Sequence, residues 1–186
     1  MNRSVPHLFA GLALLSALGG LAACDSGGGD DPPATLGEGD LYPAVSVLDC
    51  EGREVALRDR LAAHAVTYVS FGAQWCTACA EETPVINAQL VDGLADEDVG
   101  VIQILIEGAA GDPPPLSLCA GWQSDLGARY TVLVDTRQEN LAPFFGTAIG
   151  TLPLHLVVTQ DGMIRFKKLG AIPSDIQAIV AGWLPQ

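Results

Sequence analysis

The chain has 186 residues, enough for one domain with extensions and for a core that does not depend on disulfides. Its 9 basic and 22 acidic residues give a formal net charge of −13. A negative field of this size disfavours nucleic-acid backbones and anionic membrane surfaces, so we expect no nucleic-acid partner. The acidity is typical of a protein that stays soluble outside the cytosol, and steering of a basic partner protein is the alternative.

Residues 1–23 have the pattern of a secretion signal. Arg3 supplies the positive charge, and the apolar run at residues 8–21 is too short to span a membrane comfortably. Two alanines then lead to Cys24, and this end of the signal resembles the lipobox of bacterial lipoproteins. The resemblance implies that Cys24 carries a lipid and becomes the first residue of the mature chain. An ordinary cleaved signal with an incidental cysteine is the alternative.

The segment after the signal differs in composition from the rest of the chain. Residues 24–40 are rich in glycine, aspartate and proline and show no hydrophobic periodicity. This composition predicts a disordered tether. Together with a lipid on Cys24, such a tether would hold the folded domain to a bacterial membrane on its periplasmic side.

Residues 41–186 alternate between strand and helix patterns, which predicts a single folded domain. The predicted strands cover residues 44–48, 54–57, 65–71, 99–106, 130–134, 154–159 and 163–169. The predicted helices cover residues 77–94, 116–129, 138–145 and 175–183, the last of them capped by Ser174. This order indicates an α/β fold in which a central mixed sheet is flanked by helices and preceded by a β-hairpin.

The sequence contains five cysteines, two of which form the C-x-x-C motif Cys76-Thr77-Ala78-Cys79. The motif lies between a predicted buried strand and a predicted helix. Unpaired backbone N–H groups at a helix N-terminus favour a thiolate, so Cys76 is the expected nucleophile. Cys79 lies one helical turn further along the same face and can attack a mixed disulfide at Cys76.

The segment at residues 71–79, with the sequence FGAQWCTAC, resembles the active-site segment of the thioredoxin superfamily. Glu82 and Pro84 extend it to C-x-x-C-x-x-E-x-P, which is similar to membrane-anchored thiol–disulfide oxidoreductases of the TlpA/ResA type. Pro153 stands where that superfamily has a cis-proline. The resemblance covers residues 41–185 and implies a thioredoxin-like fold.

The resemblance also implies roles for residues around the cysteines. Cytosolic thioredoxins have a buried aspartate six residues before the first cysteine, where this chain has Ser70. Glu82 is the candidate replacement, since it follows Cys79 by three residues on the same helix face and could accept the Cys79 proton. A solvated helix charge is the alternative for Glu82. Trp75, Leu152 and Pro153 are expected to form the surface on which a substrate segment docks.

The expected activity is thiol–disulfide exchange with exported cysteine-containing proteins. Family context favours a reductase, for instance for cysteines that receive haem in cytochrome c maturation, recharged by a membrane-embedded thiol electron donor. The Thr77-Ala78 dipeptide does not set the direction of electron flow. We expect no cofactor and no resident metal.

Several alternatives remain open at this point. Cys50 and Cys119 could form a structural disulfide, stay as buried free thiols, or relay electrons to the C-x-x-C pair. A thioredoxin-like copper chaperone would use Cys76, Cys79 and His155 as ligands. A peroxidase is less favoured because no threonine pattern precedes a single cysteine. A structural zinc site is also less favoured because Cys50 and Cys119 have the wrong spacing.

Overall fold

A computed structural model describes residues 35–109, 111–146 and 149–186. The predicted signal, Cys24 and the tether up to residue 34 lie outside the described residues. Seven strands are described: β1 (Ser46–Leu48), β2 (Glu54–Ala56), β3 (Val66–Ala73), β4 (Val99–Glu107), β5 (Thr131–Val134), β6 (Leu154–Thr159) and β7 (Ile164–Leu169). The described α-helices are α1 (Leu57–Leu61), α2 (Thr77–Glu81), α3 (Thr83–Ile86), α4 (Leu116–Leu126), α5 (Leu141–Phe145) and α6 (Ile176–Ala181), and a π-helical segment, Asn87–Asp92, follows α3.

The strands form one mixed sheet in the order β2-β1-β5-β4-β3-β6-β7. Strands β3, β4 and β5 are parallel, whereas β6 and β7 run antiparallel to β3. All eight residues of β3 are buried, as expected of a β-branched and aromatic strand paired on both edges and covered on both faces. The predicted α/β fold with a mixed sheet, flanking helices and an N-terminal hairpin is confirmed.

Each face of the sheet has its own hydrophobic core. One core lies beneath α2, α3, the π-helical segment, α4 and α6, and it contains Tyr68, Cys76, Cys79 and Trp122. The other lies beneath α1 and α5 and contains Phe71 and other large apolar residues. From Val66 to Phe71, alternate positions of β3 therefore face different cores, in agreement with the two-residue period of a strand, and a register irregularity at Gly72/Ala73 ends the alternation.

The predicted helix at residues 77–94 is three shorter segments. Helix α2 ends at Glu81, α3 begins at Thr83, and the π-helical segment completes the run at Asp92. Pro84 lies in the first turn of α3, where a missing N–H has no cost. Its ring, however, clashes with the backbone of the preceding turn and so prevents α2 from continuing as a regular helix. The sequence predicts a helix over residues 77–94 with a kink at Pro84, and the structure instead divides the run there into separate segments.

Three other predicted helices are shorter than expected, among them α6, which covers Ile176–Ala181 instead of residues 175–183. Helix α4 ends at Leu126 instead of residue 129 because Gly127 adopts a left-handed conformation with φ 67°. Helix α5 begins at Leu141 instead of residue 138 because Gln138 has φ 54°, and the Asp135 carboxylate accepts hydrogen bonds from the two backbone N–H groups that follow Gln138.

Two further differences concern helix starts. The predicted cap Ser174 is not used, since α6 starts after Asp175 and no side chain caps it. Helix α1 was not predicted at all, because five residues are too few for a helical period to show.

Residues 35–40, which the sequence analysis placed in the tether, pack against the domain. Gly39 N–H donates to Ile164 O at 2.9 Å, and Ile164 N–H donates to Asp40 O at 2.9 Å, so this segment lies beside β7. Leu36 N–H donates to Pro143 O at 2.8 Å. The folded domain therefore begins before residue 41, and the tether prediction now concerns residues 24–34 only.

A disulfide joins Cys50, in the turn between β1 and β2, to Cys119 in α4, with the Cα atoms 5.2 Å apart. Both sulfur atoms lie near Val132 O of β5, at 3.7 Å and 3.3 Å. Among the described residues, β1 pairs with β5 at Leu48 and Val134 alone, so the disulfide adds a covalent link where strand pairing is minimal. Cys119 is fully buried and would be a poorly solvated leaving thiolate, so the geometry favours a structural disulfide over an electron relay.

We predict that the double substitution Cys50→Ala/Cys119→Ala lowers the free energy of unfolding by about 2–4 kcal/mol, because it removes a link across 69 residues. Urea denaturation followed by circular dichroism measures the change. The matched control is Cys76→Ala/Cys79→Ala, which removes a link across 3 residues and should cost much less. Equal losses in the two variants would contradict the prediction.

Candidate active site

The C-x-x-C motif lies directly after the central strand, and its two cysteines form a disulfide with Cα atoms 5.3 Å apart. Strand β3 ends at Ala73, and Cys76 occupies the N-cap position of α2. The Cys76 sulfur accepts the Cys79 N–H at 3.2 Å, the interaction that an N-cap side chain makes. Both cysteines are at least nine-tenths buried, Cys79 the more deeply.

A pair of polar side chains lies in the buried strands beneath Cys79. Ser70 Oγ donates to Gln103 Oε1 at 2.6 Å, and the two residues are directly paired across β3 and β4. The Gln103 amide nitrogen has no hydrogen-bond partner among the described residues. A neutral serine and glutamine thus occupy the region where thioredoxins have their aspartate, so Ser70 cannot serve as a carboxylate base.

Gly72 allows this close packing. A Cβ atom at Gly72 would lie 2.6 Å from Gln103 Nε2 and 3.3 Å from Cys79 Cβ. These distances are shorter than ordinary contacts, so only glycine lets α2 and β4 approach β3 as they do.

Glu82 is buried at the junction of α2 and α3, with 8% of its surface exposed. Its Oε1 accepts the Ile172 N–H at 2.7 Å. Burial raises the pKa of the Glu82 carboxyl, against the lowering effects of the Ile172 hydrogen bond and of Lys168. Glu82 is therefore unlike the neighbouring Glu81, which is exposed, and its raised pKa suits a group that exchanges protons.

His155 lies under Glu82 and is fully buried. Its Nδ1 is 2.7 Å from the Tyr68 hydroxyl, and its Nε2 is 2.9 Å from Gly170 O. Both ring nitrogens therefore have partners. No group of three His, Cys, Asp or Glu side chains suited to a metal ion occurs in residues 35–109, 111–146 and 149–186. The copper-chaperone alternative required His155 as a ligand, and this arrangement disfavours it.

The Leu152–Pro153 peptide bond is cis. Pro153 directly precedes β6, whose first residue, Leu154, pairs with Phe71 near the end of β3. Pro153 is therefore at the same end of the sheet as the cysteine pair. Pro153 is buried, Leu152 is half-buried, and Leu169, which pairs with Leu154, is exposed.

Trp75 is on the other side of the cysteines and is 45% exposed. Its indole N–H donates to Glu107 Oε2 at 2.8 Å, and the backbone N–H of Gln74 donates to Glu107 O at 2.9 Å. Glu107 ends β4 and thus holds the loop before Cys76 through both its backbone and its side chain. An exposed tryptophan fixed in this way is a rigid apolar surface beside the disulfide.

Residues 39–167 match the AhpC/TSA family, and the matched range covers more than half of the chain. The chain belongs to the AhpC/TSA family. No curated protein matches it by sequence.

Solved structures show the same fold as this member of the AhpC/TSA family. The thioredoxin domain of a thiol-disulfide oxidoreductase from Bacteroides vulgatus is 17% identical, with 81% of this chain and 100% of that chain covered and a TM-score of 0.64. A secreted thiol-disulfide isomerase from Corynebacterium glutamicum is 15% identical, with 82% and 98% covered and a TM-score of 0.63. The peroxidoxin BcpB from Mycobacterium tuberculosis is 16% identical, with 80% and 96% covered and a TM-score of 0.63.

These similarities show a thioredoxin-like fold, as the sequence indicated. Proteins named for disulfide exchange and one named for peroxide chemistry are equally similar to the chain, so the fold does not choose between the two. The choice depends on the site. None of the described helices is both long enough and apolar enough to cross a membrane.

Three residues that shape the site, Tyr68, Gln103 and Glu107, were not predicted from the sequence, and neither were the hydrogen bonds of His155. Gln103 carried a signal, because a glutamine in the middle of the apolar run at residues 99–106 needs a buried partner. Glu107 could have been noticed as the polar residue at the end of a parallel strand. Tyr68 and His155, which are hydrogen-bonded to each other, are 87 residues apart, so no local pattern indicated their contact.

We predict that Gly72→Ala destabilises the protein by about 1–3 kcal/mol, because the new methyl group overlaps Gln103 and Cys79. Thermal and urea unfolding measure the loss. Gly121→Ala in α4 is the control, since the nearest atom would be 3.7 Å away and alanine favours a helix. A Gly72→Ala variant as stable as the control would show that the packing at Gly72 is not tight.

We predict that Glu82→Gln slows thiol–disulfide exchange by about 10²-fold, the lower range for loss of a general base. In the wild-type protein the rate should fall as the pH drops through the raised pKa of Glu82, because the protonated carboxyl cannot accept the Cys79 proton. The variant should lose this limb of the pH–rate profile. Glu81→Gln, at the exposed neighbour, should change neither the rate nor the profile.

Proposed function

We propose that this protein is a thiol–disulfide oxidoreductase that reduces disulfides in exported proteins. The observation that carries the proposal is the Cys76–Cys79 disulfide at the end of the central strand, with the buried Glu82 carboxyl at the end of the same short helix. The C-x-x-C pair itself favours disulfide exchange, in agreement with the names of two of the structural neighbours. The C-x-x-C-x-x-E-x-P pattern supports the narrower TlpA/ResA assignment.

The reaction starts from the reduced protein. The Cys76 thiolate attacks a substrate disulfide, a mixed disulfide forms, and one substrate thiolate leaves. Cys79 then gives its proton to Glu82 and attacks the Cys76 sulfur. The second substrate thiolate leaves, the Cys76–Cys79 disulfide forms, and the substrate has gained two electrons. A dithiol donor must then return two electrons to the pair.

The surroundings of the disulfide fit a protein substrate. Trp75 and Leu169 are exposed and Leu152 is half-buried, so apolar side chains flank the cysteines on both sides. Among the described residues, neither backbone polar group of Leu152 has a backbone hydrogen-bond partner. An extended substrate segment can therefore pair with Leu152 while its side chains contact the apolar rim.

The sequence before the domain supports a location outside the cytoplasm. The lipobox-like end of the signal at Cys24 and the tether support anchoring by a lipid on the periplasmic side of a bacterial membrane. A membrane-embedded thiol donor would then supply the electrons, and proteins awaiting haem attachment are candidate substrates. The structural Cys50–Cys119 disulfide agrees with an oxidising compartment.

The reduction potential of the Cys76–Cys79 pair tests the proposal. We expect a value near that of thioredoxin, about −270 mV, measured by equilibration with dithiothreitol buffers and mass spectrometry of alkylated thiols. A value near about −120 mV would identify a disulfide donor instead. The Cys50→Ala/Cys119→Ala variant serves as the control, so that only the active-site pair titrates.

A turnover assay separates exchange from peroxide chemistry. With dithiothreitol as donor, the wild-type protein should speed the reduction of insulin disulfides, and Cys76→Ser should abolish this activity. The same samples are tested for consumption of hydrogen peroxide. Rapid peroxide consumption without insulin reduction would assign the protein to peroxide reduction and overturn the proposal.

A further inference from the structure

A buried polar chain connects Glu82 to the sheet. His155 Nε2 lies 3.6 Å from Glu82 Oε2, and His155 Nδ1 lies 2.7 Å from the Tyr68 hydroxyl. Tyr68, Glu82 and His155 are all at least nine-tenths buried. The exchange reaction described above uses Glu82 alone and leaves the histidine without a role.

The hydrogen bonds of His155 define which nitrogen carries the proton. Gly170 O is only an acceptor, so Nε2, at 2.9 Å from it, must carry the hydrogen. Nδ1 then has the lone pair and accepts the Tyr68 O–H. Burial lowers the pKa of His155 to about 4, so the ring is neutral at neutral pH and has this one N–H to donate.

Two acceptor oxygens lie close to this single N–H. The carbonyl of Gly170 is in hydrogen-bond range, whereas Glu82 Oε2 at 3.6 Å is just beyond it. The other carboxyl oxygen, Oε1, is held by the Ile172 N–H. Oε2 is therefore the oxygen that is free to gain or lose a proton, and it is the one that faces His155.

We propose that His155 is a positioning residue for Glu82, and that its Nε2–H turns from Gly170 O to Glu82 Oε2 when the carboxyl ionises. A charge-assisted hydrogen bond is stronger than one to a neutral carbonyl, which supplies the driving force. Bringing Nε2 and Oε2 from 3.6 Å to hydrogen-bond distance requires a shift of less than about 1 Å. This inference deepens the proposed function, because it concerns the base of the same site.

Other groups also face the Glu82 carboxyl. Lys168 of β7 favours the ionised form, but it is exposed and therefore screened. The phenols of Tyr68 and Tyr130 are buried, and burial raises the pKa of each, so they remain neutral. The cysteine pair approaches from α2 and becomes charged only when it is reduced. His155 is thus the buried side-chain donor best placed to stabilise the carboxylate.

The test is a direct titration of Glu82 by NMR in protein labelled with ¹³C at glutamate carboxyls, with the signal assigned through Glu82→Gln. In His155→Met the donor is absent, the ionised carboxyl loses its partner, and the Glu82 titration should move to higher pH than in the wild-type protein. In His155→Gln the side-chain amide can still donate, and the titration should return toward the wild-type position. His64→Gln changes an exposed histidine and should leave the Glu82 titration unchanged.

A second measurement needs no substitution at His155. The ¹⁵N signal of His155 Nε2 in the wild-type protein should shift at the pH where Glu82 titrates, and this step should be absent from Glu82→Gln. An unchanged Glu82 titration in His155→Met, or an Nε2 signal without the step, would overturn the inference.

The titration also separates this inference from the proposed function. The titration can be measured whether or not the protein reduces insulin. A protein that is inactive in exchange but shows the coupled titration would contradict only the proposed function. If exchange does occur, the acid limb of the pH–rate profile should move with the Glu82 titration in His155→Met and return in His155→Gln.

Discussion

A carboxyl group buried beneath a disulfide constrains much of the structure around it. Removing an ionisable group from water is costly unless hydrogen-bonding partners replace the water. Glu82 finds one such partner in the Ile172 N–H, 90 residues along the chain, and faces a second in His155. Glu82 directly follows the last residue of α2, and the loop after β7 brings the Ile172 N–H to its carboxyl.

The same constraint explains why polar residues occupy a central sheet. Ser70, Gln103 and His155 lie on adjacent strands in direct register, on the sheet face that the active-site helix covers. Each would be unfavourable alone in an apolar core. The Ser70 hydroxyl donates to Gln103 Oε1, and His155 bonds to Tyr68 and Gly170, whereas Gln103 Nε2 has no hydrogen-bond partner among the described residues. The apolar face that supports α2 thus includes a polar layer directly below the reacting sulfur atoms.

The two disulfides have different surroundings, which suit one to reaction and the other to a structural role. The Cys76–Cys79 disulfide is at the end of the sheet beside exposed Trp75, where another protein can reach it. The Cys50–Cys119 disulfide ties the N-terminal hairpin to α4 over β5, where strand pairing is minimal. A leaving thiolate needs hydrogen-bond donors or solvent, and the Cys76 sulfur has the Cys79 N–H as a donor, whereas Cys119 is fully buried beside a carbonyl oxygen.

Local sequence patterns were sufficient for much of the fold. Every predicted strand is present, because two-residue periodicity and β-branched runs report burial directly. The helix boundaries were less accurate. Pro84 divides the active-site helix, Gly127 ends α4 early, and the left-handed Gln138 delays α5. Such endings depend on single backbone conformations and on capping partners such as Asp135, which a hydrophobic period does not reveal.

The sequence by itself determined the order of the strands and of the longer helices and the C-x-x-C pair at a strand–helix junction, since these follow from neighbours within a few positions, and its resemblance to a known family pointed to Glu82 and Pro153. Only the tertiary structure decided that Glu82 is buried, that Cys50 meets Cys119, and that His155 stands between Glu82 and Tyr68. These contacts join residues up to 90 positions apart. Their geometry depends on strand register and packing, which no local pattern encodes.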